Sequence, residues 1–112
     1  MVAELIKRVV RTRSPLTCRL DRGSGAARLA EWSRLVADGL VAEARDDGVI
    51  TTVWRNDGDV PARLRALIAA EADCCPFLTF SLEEIEEGIR VRMIFPPDAE
   101  PLMNDFVRQI AA

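Results

Sequence analysis

The chain has 112 residues and a formal net charge of -3, with no histidine, no tyrosine, three cysteines and one lysine against fourteen arginines. The length suits one domain that buries roughly 65% of its unfolded surface, enough for a core without disulfide staples. Without histidine, one chain can build no Ser-His-Asp triad, no Cys-His pair, no imidazole metal site and no histidine pH switch.

Charge is unevenly spread. Residues 1–22 hold six basic and two acidic side chains, and residues 23–112 hold nine basic and sixteen acidic ones. A basic arm attracts phosphate, but the acidic body opposes wrapping on a nucleic acid and the arm has no aromatic residue to stack on bases. Nucleic-acid binding is therefore not expected. No apolar run is long enough for a membrane span, and no apolar leader precedes a small-residue cleavage site. Cytoplasmic residence, with reduced thiols, is the expectation.

In chain order, Val2, Leu5, Ile6, Val9 and Val10 trace a short helical stripe, and Ser14-Pro15 breaks it. Residues 1–14 thus read as an arm or short helix, ahead of a single domain over 15–112. Leu16 to Leu20 alternates as a strand, with Leu16, Cys18 and Leu20 on one face. A helix follows from Ala26 to about Ala44, carrying Leu29, Trp32, Val36 and Leu40 on one side, with Gly39 weakening it. Asp46-Asp47-Gly48 opens the β-branched strand Val49–Trp54.

Asp59 is expected to cap the next helix, whose first turn tolerates Pro61. Leu64, Leu67, Ile68, Glu71 and Cys75 share its inner face until Pro76 ends it. Phe77–Leu82 alternates with Leu78, Phe80 and Leu82 inward, Glu83–Gly88 reads as an acidic loop, and Ile89–Phe95 alternates again. Pro96-Pro97-Asp98 then caps a last helix with Leu102, Met103, Phe106 and Ile110 as its stripe. The order β-α-β-α-β-β-α predicts an α/β (α+β) two-layer sandwich: a mixed four-stranded sheet with helices on one face.

The chemistry concentrates at Glu71-Ala72-Asp73-Cys74-Cys75-Pro76. Two thiols leave the end of a helix side by side, and Glu71, three and four residues earlier, shares their face. Soft thiolates select thiophilic ions, and neighbouring cysteines suit a large, low-coordinate one better than a small tetrahedral one. Cys18 can add a third sulfur if its strand lies beside the helix end, with Glu71 as a ligand or proton-accepting carboxylate. The candidate metal residues are therefore Cys74, Cys75, Cys18 and Glu71, for a soft metal or metalloid ion. The competing reading is that all three cysteines simply pack in the core, in a structural or interaction module that pairs as a homodimer.

A helix C-terminus and nearby carboxylates raise a thiol's pKa, and no base stands beside the pair. Binding is accordingly expected ahead of catalysis, and no residue is assigned a catalytic role. Glu83, Glu84, Glu86 and Glu87 lack the spacing of a calcium loop and read as solvated surface. Gly23-Ser24-Gly25 lacks the length and the lysine of a phosphate loop.

The segment Glu71-x-x-Cys74-Cys75-Pro76-Phe77-Leu78-x-Phe80 resembles a motif of small bacterial proteins whose function is not established. The same proteins show an early Cys-x-Leu strand, here Cys18-Arg19-Leu20, and an Arg-x-x-Glu-Trp helix start, here Arg28 to Trp32. They also show a Pro-x-x-Ala turn, here Pro96 to Ala99. The likeness covers most of residues 16–110 and does not extend to the arm. It implies that Cys18, Cys74, Cys75 and Glu71 belong to one site, and it carries an association with heavy-metal or arsenic resistance.

Overall fold

A computed structural model describes residues 22–111 of the chain. The expected N-terminal arm, the strand Leu16–Leu20 and with it Cys18 lie outside the described residues. Helix α1 (Arg22–Gly39) leads into a hairpin of β1 (Leu40–Asp46) and β2 (Val49–Trp54). Helix α2 (Val60–Cys74) follows, then a second hairpin of β3 (Thr79–Ile85) and β4 (Gly88–Ile94). A 3-10 turn (Pro97–Ala99) ends in helix α3 (Glu100–Ala111). The α+β class predicted from hydrophobic periodicity is the class observed.

Three details correct the sequence reading. The described strands run in the order β1-β2-β4-β3 and pair only antiparallel, so this part of the sheet is not mixed. Both β2 and β3 are antiparallel to β4, so they point the same way across α2, but β4 lies between them. Second, Leu40–Asp46 is a strand and not the end of a helix. Its Leu, Ala, Glu and Arg favour helix locally, but pairing with β2 through a two-residue Asp47-Gly48 turn, with Gly48 at φ 70°, overrides that preference. Third, β3 continues to Ile85, and only Glu86-Glu87 turn before Gly88.

Asp59 occupies the cap position of α2 without a side-chain bond to the helix backbone. Its carboxylate pairs instead with Arg63 one turn on, at 3.3 Å. Along α2 the buried residues are Val60, Leu64, Leu67, Ile68, Glu71 and Cys74, one stripe at helical spacing with a single ionisable side chain in it.

Register places Ile50 opposite Met93, Thr52 opposite Val91 and Trp54 opposite Ile89, so these six side chains share the sheet face that the helices cover. Ile89, Val91, Met93 and Phe95 are all buried, as their alternation predicts. Leu82 and Leu102, expected inward, are 37% and 41% exposed because they stand at the margins of the sheet and of α3. Leu35, Leu64 and Ile89 are the largest fully buried side chains, each contributing about 1.5–3 kcal/mol by leaving water. Trp32 packs against Trp54 at 6.1 Å between ring centres and edge-on to Phe106 at 6.0 Å. Trp32 therefore ties α1 to both the sheet and α3, and it brings the start of α1 beside the end of α2. No helix among the described residues is long and apolar enough to cross a membrane.

Candidate thiol site

The site grows from the last turn of α2. Glu71 lies in the buried stripe of that helix and is 7% exposed. The chain leaves the helix at Cys75, whose backbone N–H donates to the Glu71 carbonyl at 2.7 Å, and Pro76 prevents a further turn. The Leu78 N–H then donates to the Cys75 carbonyl at 3.0 Å, folding the segment back toward β3. Cys74 and Cys75 are consequently both buried, at 3% and 7% exposure.

A buried carboxylate needs donors. Glu71 finds them on α1: Trp32 Nε1–H donates to Oε2 at 3.0 Å, and Arg28 Nη1 donates to the same oxygen at 3.2 Å. The other oxygen, Oε1, faces the Cys75 thiol, which donates to it at 3.8 Å. Arg28 and Trp32 stand one helical turn apart, so both reach Glu71 from a single face of α1. The Arg28 and Glu71 side chains are 17% and 9% exposed, which makes this a largely buried, charge-assisted pair.

Burial pushes the Cys75 thiol up from 9.0 to about 11, and the charge of Glu71 and its hydrogen bond add to the rise while Arg28 opposes it. The thiol is therefore protonated at neutral pH and a poor spontaneous nucleophile. That agrees with the electrostatics expected of a thiol beside a carboxylate at a helix C-terminus.

Cys74 is disulfide-bonded, whereas Cys75 is a thiol, so the bond does not join the two neighbours. Of the four residues assigned to a metal site, the structure sets the Cys75 thiol beside Glu71 and holds Cys74 in a disulfide, and Cys18 lies outside the described residues. Among the described residues no group of three or more cysteine and carboxylate side chains is disposed to hold a metal ion. Glu71 differs from the expected ligand in having one oxygen already engaged by Arg28 and Trp32.

Sequence reasoning missed Arg28 and Trp32 as partners of this carboxylate, and it read Trp32 only as core. The signal was a glutamate inside an apolar stripe, which requires a donor from elsewhere. Beside these groups opens a cavity of about 200 Å³. Its walls are mostly apolar, from Leu29, Phe77, Leu78, Met103 and Phe106, with Cys75, Glu71 and Arg28 supplying its polar side.

Comparison with known proteins finds no matching family model, no similar curated protein and no similar solved structure.

Proposed function

We propose that this chain binds a soft metal or metalloid species through Cys74 and Cys75 in their reduced state. The observation that carries the reading is the Cys75 thiol, buried beside Glu71, on the wall of a mostly apolar cavity of about 200 Å³. Cys74, next along the chain, supplies the second sulfur once its disulfide is reduced.

The chemistry favours a ligand that arrives neutral. A hydrated cation binds a thiolate and must expel the thiol proton, which burial beside Glu71 makes harder to lose. A trivalent metalloid hydroxide avoids that requirement. Each S–H gives its proton to a departing hydroxide, a sulfur–metalloid bond replaces the oxygen–metalloid bond, and water leaves. The product is uncharged and compatible with apolar walls. Glu71 lies within reach of the Cys75 proton and can relay it to the leaving oxygen, while Arg28 and Trp32 hold the carboxylate in place.

The test is thiol counting with arsenite under reducing conditions. The expected result is protection of two thiols from alkylation, assigned by peptide mapping to Cys74 and Cys75. Equal alkylation with and without arsenite would overturn the proposal and return the cysteines to core packing.

A further inference from the structure

We infer that the site takes its metalloid with an organic group attached, and that this group, a single aromatic ring, fills the cavity beside Cys75. The ligand class is a trivalent arsenic carrying one carbon substituent and two hydroxyls. The inference rests on the binding reading above. Its starting point is valence. Cys74 and Cys75 supply two sulfurs, and a trivalent centre keeps a third substituent. On an inorganic ligand that substituent is a hydroxyl, and burying a hydroxyl without a partner costs free energy. The cavity that Cys75 lines presents Leu29, Phe77, Leu78, Met103 and Phe106, which pack well against carbon and offer no strong hydrogen bond. Arg28 and Glu71, on the same wall, are bonded to each other.

The size suits one ring. An apolar cavity of about 150 Å³ holds benzene. The space here measures about 200 Å³. Phe77 and Phe106 stand on its wall, where an aromatic guest meets ring edges and faces. Leu102, also on the wall, is 41% exposed, so the space communicates with the surface. Binding proceeds by exchange. Two arsenic–oxygen bonds break, two arsenic–sulfur bonds form, and each thiol proton leaves with a hydroxyl as water. The arsenic–carbon bond stays intact and no oxidation state changes. Burial of the ring should tighten binding by roughly ten- to hundredfold over the hydroxyl species.

The experiment equilibrates the reduced whole chain against dithiothreitol with either arsenite or phenylarsine oxide, which hydrates to the phenyl member of this class. Dithiothreitol offers two sulfurs and no cavity. The phenyl-over-hydroxyl preference of the protein should exceed that of dithiothreitol by roughly ten- to hundredfold. Leu29→Trp, which fills the cavity from α1, should bring the preference down toward that of dithiothreitol. Equal preferences for protein and dithiothreitol would overturn the inference, as would an undiminished preference in Leu29→Trp. Protection of Cys18 together with Cys74 and Cys75 in the phenyl complex would overturn it too, since a third sulfur would then compete for the valence assigned to the ring. Should neither arsenical protect Cys74 and Cys75 from alkylation, the binding reading itself would fall, and this inference with it.

Discussion

Glu71 accepts hydrogen bonds from Trp32, Arg28 and Cys75 in a space almost closed to water. Its removal leaves three donors without their acceptor, one of them charged, so Glu71→Ala should cost about 2–4 kcal/mol in urea unfolding. Glu71→Gln keeps an acceptor for Trp32 but removes the negative charge beside Cys75. The pH midpoint of the Cys75 alkylation rate should then fall below about 11 but stay above 9.0, because burial still raises it, as read by iodoacetamide kinetics on reduced protein.

The raised thiol also makes stability depend on pH. In the unfolded chain Cys75 ionises near 9.0, and in the fold near 11. Between these values the folded state holds more protons than the unfolded state, so stability falls as pH rises through the window, by roughly 3 kcal/mol in all. Below pH 9 this group imposes no slope. Urea midpoints at pH 8, 9.5 and 10.5 should show the decline in reduced wild type and a shallower one in Cys75→Ala. The Glu71–Cys75 relation was legible in the sequence, because i to i+4 on one helix puts them on one face. The donors were not: Trp32 and Arg28 are 39 and 43 residues away, and no local periodicity points across that distance.

At the scale of elements, two glycines show where backbone packing decides. Gly39 closes α1, and a methyl group there would lie 2.8 Å from Val60 Cγ1 at the start of α2. Alanine favours helix over glycine by about 1 kcal/mol, but overpacking costs about 1–3 kcal/mol, so Gly39→Ala should be destabilising on balance. Adding Val60→Ala should relieve the contact, and the double-mutant cycle should show a favourable coupling between the two changes in thermal unfolding. Gly88 has no such remedy. Its φ of 148° and a Cβ position 2.1 Å from the Trp54 carbonyl oxygen place the start of β4 against the end of β2, where backbone meets backbone. The same contacts explain what sequence patterning resolved and what it did not. The stripes on α2 and β4 are strong enough to declare themselves locally. Among the described strands β1 lies at the edge, stabilised by its partner β2, and its own residues carry no buried alternation.

At the scale of the molecule, the core formed by the described residues divides into two clusters. One gathers Trp32, Leu35, Trp54, Leu64 and Ile89 beneath α1 and α2, and the other gathers Ile50, Met93, Phe95 and Met103 beneath α3. Phe80 and Phe106 pack against both. Because the two tryptophans sit in the first cluster only, their fluorescence reports that cluster, while far-UV circular dichroism reports every element. If the shared phenylalanines make the clusters one cooperative unit, the two signals should give coincident urea transitions in the wild type. Phe106→Ala removes a half-buried ring that also meets Trp32 edge-on, at a cost of about 2–3 kcal/mol. Its loss weakens the second cluster first, since α3 carries both Phe106 and Met103. In that variant the circular dichroism transition should begin at lower urea than the fluorescence transition. Coincident curves in the variant would instead mean that Phe80 alone suffices to join the two halves of the core.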